Sequence, residues 1–228
     1  MATEFSQTNS GRFLGKILGK GRVYSDLFKP TFDFLFSLLL LIVLAPLMCL
    51  VAVAIKIESP GSVFFVQTRS GINGKSFKLI KFRSMTARND VYDSSRKDEV
   101  TRVGRLIRKF SIDEIPQLLN VIKGDMALIG PRPWLPEYYQ NMNESQRYRY
   151  KVKPGITGLA QASGRNAITI FQKIECDLEY VKRVSFIFDI KIMMLTLKTM
   201  FDESTIEIGK TGILDELELL KKQVLGGA

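Results

Sequence analysis

The chain has 228 residues, of which 33 are lysine or arginine and 23 are aspartate or glutamate, giving a net charge of +10 and a pI near 9.6. At roughly 150 residues per domain, this length predicts one domain with accessory segments and excludes repeat arrays. The charge favours anionic partners such as nucleic acid, acidic lipid or phosphorylated substrates. Because the chain contains no histidine, a Ser-His-Asp triad, a histidine base and histidine metal ligands are excluded. Cys49 and Cys176 lie far apart in sequence, which argues against a disulfide framework or thiolate zinc site and fits a reducing cytosolic setting.

An uncharged apolar run of 21 residues, from Leu35 to Ile55, is the strongest local pattern. As a straight helix it would be ~31 Å long, about the thickness of the hydrocarbon core of a bilayer. It begins too far from the N-terminus, and is too long, for the apolar part of a signal peptide. Pro46 lies in the middle of the run. Because proline lacks an amide hydrogen and its ring clashes with the carbonyl of Ile42, a kink is predicted there.

Basic residues flank this run on both sides. They are Lys16, Lys20, Arg22 and Lys29 before it, and Lys56, Arg69 and Lys75 after it. The positive-inside rule would place both ends in the cytoplasm, which suits a helix-break-helix that enters and leaves one leaflet, and does not suit a straight span. Kinked spanning helices are nevertheless common, because neighbouring groups can satisfy the freed backbone atoms, so a simple span stays open as the alternative.

The segments around the apolar run predict smaller elements. Residues 1–29 are polar and basic, typical of a membrane-surface amphipathic helix or a frayed extension. Residues 62–66 and 77–82 flank a turn-rich stretch at 70–75, which predicts a β-hairpin. From residue 101 onward helical periodicity dominates. One predicted helix face consists of Ile168, Phe171, Ile174, Leu178 and Val181.

Two further helices are predicted near the C-terminus. Residues 186–201 contain 11 apolar side chains in 16 positions but also three charged ones, so this helix is too short and too charged to span a membrane. It is a core helix or one that lies among lipid headgroups, and the sequence alone favours the core. In the tail, one apolar stripe predicts a helix that packs on its own domain. Its members are Leu214, Leu217, Leu220 and Val224.

Residues 105–120 stand out as a candidate site, because the sequence has neither a GxGxxG motif after a strand nor a GxxxxGK motif followed by Ser or Thr. A purely structural interpretation is a helix start, in which Ser111 and Glu114 form an S-x-x-E capping box. In that case Pro116 would fall inside the helix and remove a bond to the carbonyl of Ile112. The helix is therefore predicted to start near Pro116 itself.

The functional interpretation of the same segment is phosphoryl chemistry. A carboxylate at a helix N-terminus keeps a low pKa, so Asp113 would be an ionised nucleophile towards phosphorus. Glu114 offers a hard oxygen ligand for Mg²⁺, which binds through one or two carboxylates plus substrate phosphates. An anionic diphosphate also needs positive charge. The candidate cations are Arg105, Arg108, Lys109 and Arg132, although Arg132 and Arg165, taken singly, are typical of solvated surface charge.

Several ordered motifs, between about Lys29 and Phe201, resemble those of the small monotopic phosphoglycosyl transferases of bacteria, the polyprenyl-phosphate sugar-phosphate transferases. The motifs are Ser59-Pro60-Gly61 with residues 63–67, Lys81-Phe82-Arg83-Ser84-Met85, Thr101-Arg102-Val103-Gly104, residues 111–118, Lys123-Gly124-Asp125-Met126, Gly130-Pro131-Arg132-Pro133 and residues 153–161. The run at 164–168, followed by Asp177, Tyr180-Val181-Lys182 and Ser185-Phe186, looks most like the transferases that act on UDP-N,N′-diacetylbacillosamine.

The resemblance implies an α+β, mostly helical, monotopic membrane protein with a re-entrant membrane helix-break-helix, a small β-hairpin and amphipathic interfacial helices. It shifts residues 186–201 from the core towards the interface. The family breaks its membrane helix at a Ser-Pro pair, and this chain has Ala45-Pro46 instead, which removes a hydroxyl. The implied segments are a basic extension at 1–29, a re-entrant helix at 30–57, a cytosolic catalytic domain at 58–205 and an amphipathic tail at 206–228.

The resemblance also implies a site and a reaction. Asp113 and Glu114 match the catalytic Asp-Glu dyad, with Glu114 holding Mg²⁺, and Arg108, Arg132 and Arg165 match substrate-binding arginines. The expected reaction transfers a sugar 1-phosphate from a UDP-sugar to undecaprenyl phosphate and releases UMP, through a phosphosugar carried on Asp113. The product would be the first membrane-bound intermediate of a glycan pathway, made at the cytoplasmic face of the bacterial inner membrane, with no nucleic-acid partner. Two alternatives are a direct single displacement and a non-catalytic, basic membrane-tethered binding protein.

Overall fold

The computed structural model describes residues 24–86, 100–164, 168–200 and 213–226, so most of the predicted N-terminal extension lies outside the described residues. Helices predominate in the described chain. In order, the elements are a π-helical turn (Tyr24–Phe28), α1 (Lys29–Glu58), β1 (Phe64–Ser70), a 3-10 turn (Ile72–Gly74), β2 (Ser76–Phe82), α2 (Arg102–Lys109), a 3-10 helix (Ile112–Gln117), α3 (Leu118–Ile122), β3 (Ala127–Ile129), α4 (Pro136–Gln140), α5 (Glu144–Arg147), a second 3-10 turn (Tyr148–Lys151), β4 (Gly155–Thr157), α6 (Leu159–Gly164), α7 (Ile170–Arg183), α8 (Phe186–Met200) and α9 (Ile213–Gly226).

Two small sheets accompany these helices, which confirms the mostly helical α+β prediction. Strands β1 and β2 form the predicted antiparallel hairpin, with Phe64 opposite Phe82 and Ser70 opposite Ser76. Strands β3 and β4 form a parallel pair that the sequence pattern did not predict. Each of these strands has three residues, which is too short for a recognisable alternation of apolar and polar side chains.

Helix α1 is continuous from Lys29 to Glu58 and includes Pro46. The structure thus assigns one helical element across Pro46, and the re-entrant helix-break-helix stays a prediction. Proline removes a single backbone hydrogen bond, and the surrounding turns keep theirs, so an apolar helix can continue through it. With the preceding turn, the helical stretch Tyr24–Glu58 has 35 residues and is long and apolar enough to cross a bilayer by length and composition.

Both ends of α1 pack against the same domain. At its start Lys29, Asp33 and Ser37 are buried, each one helical turn after the other, and at its end Val51 and Ile55 are buried. The latter two pack with Phe82 of β2 and Ile107 of α2. Between these ends the apolar side chains are exposed. They include Leu38, Leu39, Ile42, Val43, Leu47 and Leu50.

A buried polar cluster fixes the start of α1 to the rest of the molecule. Asp189 of α8 lies at its centre and accepts hydrogen bonds from Lys29 Nζ and Tyr24 Oη, each over 2.7 Å. On its other carboxylate oxygen it accepts a hydrogen bond from Tyr180 Oη over 2.8 Å. Lys29 also lies 3.4 Å from Asp33. These contacts join α1, α7 and α8 by charge as well as by apolar packing.

Helix α8 has a buried face and an exposed apolar face. Phe188, Asp189 and Ile192 are buried in the core. Ile187 and Met194, which point away from it, are 81% and 60% exposed. The prediction of a core helix is therefore confirmed, and the position at the membrane interface that the resemblance implies stays a prediction.

The C-terminal tail packs on its own domain, as its apolar stripe predicted. Leu217 and Leu220 of α9 are buried in a cluster with Trp134 and Tyr138. Leu214, however, is 60% exposed, so it does not belong to the buried face. Of the predicted stripe, the Val224 side chain lies outside the described residues.

Candidate active site

The segment that carries the acidic pair is a tight turn followed by a 3-10 helix. Thr101 caps α2 by accepting a hydrogen bond from the Gly104 amide. After α2, Ser111 adopts a left-handed backbone conformation with a φ of 55°, and its side chain makes no capping hydrogen bond. The capping-box interpretation is therefore wrong, because the 3-10 helix starts directly after this turn. The α-helix begins at Leu118, close to the start predicted near Pro116.

Asp113 is buried, with 8% of its surface exposed, and three cations act on it. Burial and the adjacent Glu114 raise the pKa of Asp113 to about 6, while Lys81, Arg108 and Arg132 oppose this shift. The predicted low pKa is therefore wrong. The prediction assumed a carboxylate at a helix N-terminus, whereas the carboxylate lies buried in a 3-10 helix, where desolvation disfavours its charge.

Lys81 belongs to this charged group, although the sequence did not single it out as a site residue. It lies on β2, and its Nζ is 5.1 Å from the centre of the Phe65 ring. Burial lowers the pKa of Lys81 to about 8, and the negative charge of Asp113 limits the decrease. In the sequence, Lys81 was visible as a member of the Lys81-Phe82-Arg83 motif. Its position at the site depends on the fold, because the hairpin brings β2 next to residues 112–117.

Glu114 and Arg132 form a direct ion pair. Arg132 Nη2 donates a hydrogen bond to Glu114 Oε1 over 2.7 Å. The Arg132 side chain is 49% exposed and the Glu114 side chain 20% exposed, so solvent and ligands can reach the pair. The structure thus brings together the Asp-Glu pair and one of the three predicted arginines.

The other two predicted arginines have different outcomes. Arg108, near the end of α2, donates a hydrogen bond from Nε to Ser84 Oγ over 2.7 Å, and its charge acts on Asp113. It therefore belongs to the site electrostatically. Arg165 lies outside the described residues.

The loop that carries Arg132 connects β3 to the following helix and is held against β4. The Gly130 amide donates to the Thr157 carbonyl over 2.9 Å, and the Gly155 amide donates to the Pro131 carbonyl over 3.0 Å. A Cβ atom on Gly155 would lie 2.1 Å from the Gly130 nitrogen, so this close approach requires glycine. The glycines of the two motifs therefore place the Arg132 loop beside the acidic pair.

A cavity of about 780 Å³ adjoins Glu114 of this pair and extends to the membrane helix. Glu114 and Arg132 lie in its polar wall. One stripe of α1 contributes apolar side chains spaced four residues apart to the lining. They are Phe32, Phe36, Leu40 and Leu44. The cavity therefore has one charged region and one apolar region, which suits an amphiphilic ligand that carries phosphate.

The residues around the pair fit Mg²⁺ only in combination with a phosphate ligand. Within the described ranges, no group of three or more Asp, Glu, Cys or His side chains is placed to hold a metal ion. Mg²⁺ often binds through one or two carboxylates and completes its shell with water and substrate phosphates. Asp113 and Glu114 can supply that number.

Comparisons with known proteins identify the family of this chain. The model of the family described as bacterial sugar transferase matches residues 24–203. The uncharacterized sugar transferase EpsL of Bacillus subtilis is 53% identical over 154 residues, covering 67% of this chain and 75% of that protein. The UDP-glucose:undecaprenyl-phosphate glucose-1-phosphate transferase of Caulobacter vibrioides is 42% identical over 78% of this chain and 72% of that protein.

A third relative, the exopolysaccharide production protein ExoY of Rhizobium meliloti, is 32% identical over 86% of this chain and 96% of that protein. The family match includes the membrane helix, the acidic pair and the Arg132 loop, and it ends before α9. The predicted resemblance is thereby confirmed: the chain belongs to the bacterial sugar transferase family and is a phosphoglycosyl transferase.

Proposed function

We propose that this protein transfers a sugar 1-phosphate from a UDP-sugar to undecaprenyl phosphate in two steps. In the first, a carboxylate oxygen of Asp113 attacks the β-phosphorus of the donor, and the bond from that phosphorus to the bridging oxygen breaks. UMP leaves with the bridging oxygen, and the sugar phosphate remains on Asp113 as an acyl phosphate. In the second, a phosphate oxygen of the acceptor attacks the same phosphorus. The Asp113 carboxylate leaves, and a polyprenyl diphosphate sugar is formed.

The observation that carries this proposal is the buried Asp113 on which three cations act, directly before Glu114, which lines the amphiphilic cavity. The cations Lys81, Arg108 and Arg132 can neutralise the donor diphosphate, which would otherwise repel an anionic nucleophile. A pKa of about 6 leaves Asp113 largely ionised at neutral pH. Desolvation of such a carboxylate also makes it a stronger nucleophile than one in water.

Glu114 and Arg132 are proposed to hold the diphosphate jointly. In the resting structure they hold each other. When the donor binds, the exposed guanidinium of Arg132 can turn to the phosphate oxygens in a bidentate manner. Glu114, with Asp113, would hold Mg²⁺, which would neutralise charge on the phosphates and on the leaving UMP.

The cavity supports the proposal for the acceptor. The isoprenoid chain of undecaprenyl phosphate would lie along the apolar stripe of α1, and its phosphate would lie near Arg132. Holding donor and acceptor at the membrane surface supplies the proximity contribution to catalysis. The relatives from Caulobacter and Escherichia coli bear names that specify undecaprenyl phosphate as acceptor.

The packing of α1 supports a re-entrant placement in one leaflet. A straight span would put the two helix ends on opposite sides of the bilayer, whereas both ends of α1 contact the same domain. The exposed apolar side chains lie between these contacts. With basic residues at both ends, this placement puts the catalytic domain at the cytoplasmic face of the bacterial inner membrane.

Two different observations indicate which donor sugars this protein uses, and each indicates a different sugar. Several relatives with 42–45% identity are named for UDP-glucose or for undecaprenyl-phosphate glucose transfer. The motifs at residues 164–186 resemble transferases for UDP-N,N′-diacetylbacillosamine. UDP-glucose and UDP-N,N′-diacetylbacillosamine are therefore the first two donors to test, with glycan or exopolysaccharide synthesis as the setting.

The experiment measures nucleotide release from these donors with Mg²⁺ and undecaprenyl phosphate, and distinguishes UMP from UDP. We expect UMP that depends on the acceptor and disappears in Asp113→Asn, while Lys222→Gln, on the exposed face of α9, retains wild-type rates. Release of UDP would mean ordinary glycosyl transfer and would overturn the proposal. Near wild-type UMP release by Asp113→Asn would favour the direct displacement alternative.

A further inference from the structure

Arg149 is a buried cation outside the group of charges around Asp113. It is 1% exposed, and so is its partner Asp177 on α7. Asp177 Oδ2 accepts hydrogen bonds from Arg149 Nε over 2.9 Å and from Nη2 over 2.7 Å. A buried ion pair is often no more stabilising than apolar side chains of similar volume. Stability alone therefore does not account for this pair.

The same guanidinium holds the loop that carries Arg132. Arg149 Nη2 also donates a hydrogen bond to the carbonyl oxygen of Arg132 over 2.7 Å. Its guanidinium carbon lies 3.9 Å from the centre of the Trp134 ring. These contacts fall on either side of Pro133 and fix the chain both before and after that residue.

Other contacts hold the loop on both sides of Arg132, since the Ser70 amide donates to the Trp134 carbonyl over 2.9 Å and Arg69 Nη1 donates to the Pro133 carbonyl over 3.4 Å. The strand pair β3 and β4 holds the loop through Gly130 and Pro131. Arg149 holds the carbonyl of Arg132 itself, at the residue whose side chain extends towards Glu114. The main chain at Arg132 itself is therefore held by the Arg149 side chain, which belongs to a different ion pair.

We propose that Arg149, held by Asp177, is a positioning residue for the transfer reaction. It fixes the main chain of Arg132 so that the Arg132 guanidinium faces Glu114 and the donor phosphates. This inference rests on the proposed function, in which Arg132 binds the diphosphate. A displacement of about 1 Å at such a group costs on the order of 100-fold in rate.

The test replaces the whole ion pair, because Arg149→Met alone would leave the buried Asp177 carboxylate unpaired. The double variant Arg149→Met with Asp177→Leu removes both charges and keeps apolar volume. The matched control is Arg183→Met with Glu179→Leu, an exposed ion pair on α7, the helix that carries Asp177. We expect kcat for UMP release to fall about 100-fold in the buried-pair variant and to stay within about threefold of wild type in the control. Wild-type kcat in a folded buried-pair variant would overturn the proposal.

Arg149→Lys provides a second variant that keeps the buried charge. A lysine ammonium can pair with Asp177, but it lacks the planar fork that reaches Asp177 and the Arg132 carbonyl together. We expect this variant to remain folded, with a melting temperature near that of wild type, and to lose at least roughly tenfold in kcat. Full activity in Arg149→Lys would contradict the proposal.

A double-mutant cycle separates positioning from general weakening of the fold. If Arg149 acts through Arg132, the buried-pair replacement should cause little further loss in an Arg132→Gln background. A general structural effect would instead multiply the two losses. Multiplicative losses would overturn the proposal.

Hydrogen exchange gives a readout that does not depend on activity. We expect the amides of Arg132 and Trp134 to exchange about tenfold faster in the buried-pair variant, with no change in the control pair. Unchanged exchange would overturn the proposal even in an active enzyme. If wild-type protein released no UMP from any donor, the proposed function would fail, and the exchange rates would still decide whether Arg149 holds the loop.

Discussion

Arg132 and Glu114, which are 18 residues apart in sequence, form a hydrogen-bonded ion pair of 2.7 Å at the wall of the cavity. The pair lies beside Asp113, whose pKa both residues influence. Each partner therefore neutralises the other until a diphosphate is present. An exposed pair of this kind contributes little to stability, so both side chains can exchange partners at low cost.

Substitution of Arg132 should therefore affect catalysis much more than folding. Arg132→Gln removes the charge that is proposed to bind the diphosphate, and we expect kcat to fall by about 100-fold or more. Arg132→Lys keeps the charge but loses the bidentate fork, so its kcat should lie between that of Arg132→Gln and that of wild type. Initial rates of UMP release against donor concentration measure this, with Lys222→Gln as the control. A kcat for Arg132→Gln within about threefold of wild type would remove Arg132 from the mechanism.

The rate of the reaction should follow a bell-shaped pH profile. Asp113 must lose its proton to attack, so the rate should rise as pH passes about 6. Lys81 loses its charge as pH passes about 8, so the rate should fall again. Initial rates from about pH 5 to about pH 9 measure both limbs.

Lys81→Arg tests the assignment of the alkaline limb. Because arginine stays charged throughout this range, the fall above pH 8 should disappear or move upward in the variant. The acid limb should stay in place. An unchanged alkaline limb would show that Lys81 does not cause it.

The pKa of Asp113 also predicts how stability depends on pH. The folded pKa of about 6 lies above the ordinary value of 3.8. Between these two values the folded state binds more protons than the unfolded state, so the free energy of unfolding should decrease as pH rises through this window. Asp113→Asn cannot titrate and should melt a few degrees above wild type near pH 8, with a smaller difference near pH 4. A variant that melts below wild type near pH 8 would contradict this account.

The buried cluster around Asp189 should be important for stability. Asp189→Asn weakens the contacts with Lys29, Tyr24 and Tyr180, and leaves the ammonium of Lys29 with less compensation. Removing one partner of a buried ion pair costs about 3 to 5 kcal/mol, so the melting temperature should fall markedly. Asp26→Asn makes the same change at an exposed position and should stay within about 0.5 kcal/mol of wild type. Equal melting temperatures for both variants would show that the cluster does not anchor α1.

The sequence predicted those features that depend on local pattern. The apolar run predicted the membrane helix, and the turn residues at 70–75 predicted the hairpin. Charge chemistry within residues 105–133 indicated Asp113, Glu114 and Arg132 as neighbours, and the structure places Glu114 and Arg132 in contact.

The features that the sequence did not predict depend on tertiary contacts. Lys81 joins the site only because β2 packs beside the 3-10 helix, and the pKa of Asp113 is raised by burial that no local pattern indicates. The Arg149–Asp177 pair joins residues 28 positions apart. At Pro46 the local rule predicted a kink, and helix α1 continues through this residue because the loss of one hydrogen bond is small beside the remaining helical bonds.

Mass spectrometry of the protein after incubation with the donor alone tests the central claim most directly. A donor that supports acceptor-dependent UMP release is added with Mg²⁺ and without undecaprenyl phosphate, the reaction is quenched, and peptides that contain Asp113 are analysed. We predict a mass increase that corresponds to the sugar phosphate on Asp113, which disappears when acceptor is added and is absent in Asp113→Asn. If no adduct forms while the same preparation turns over with acceptor, Asp113 is not the covalent nucleophile.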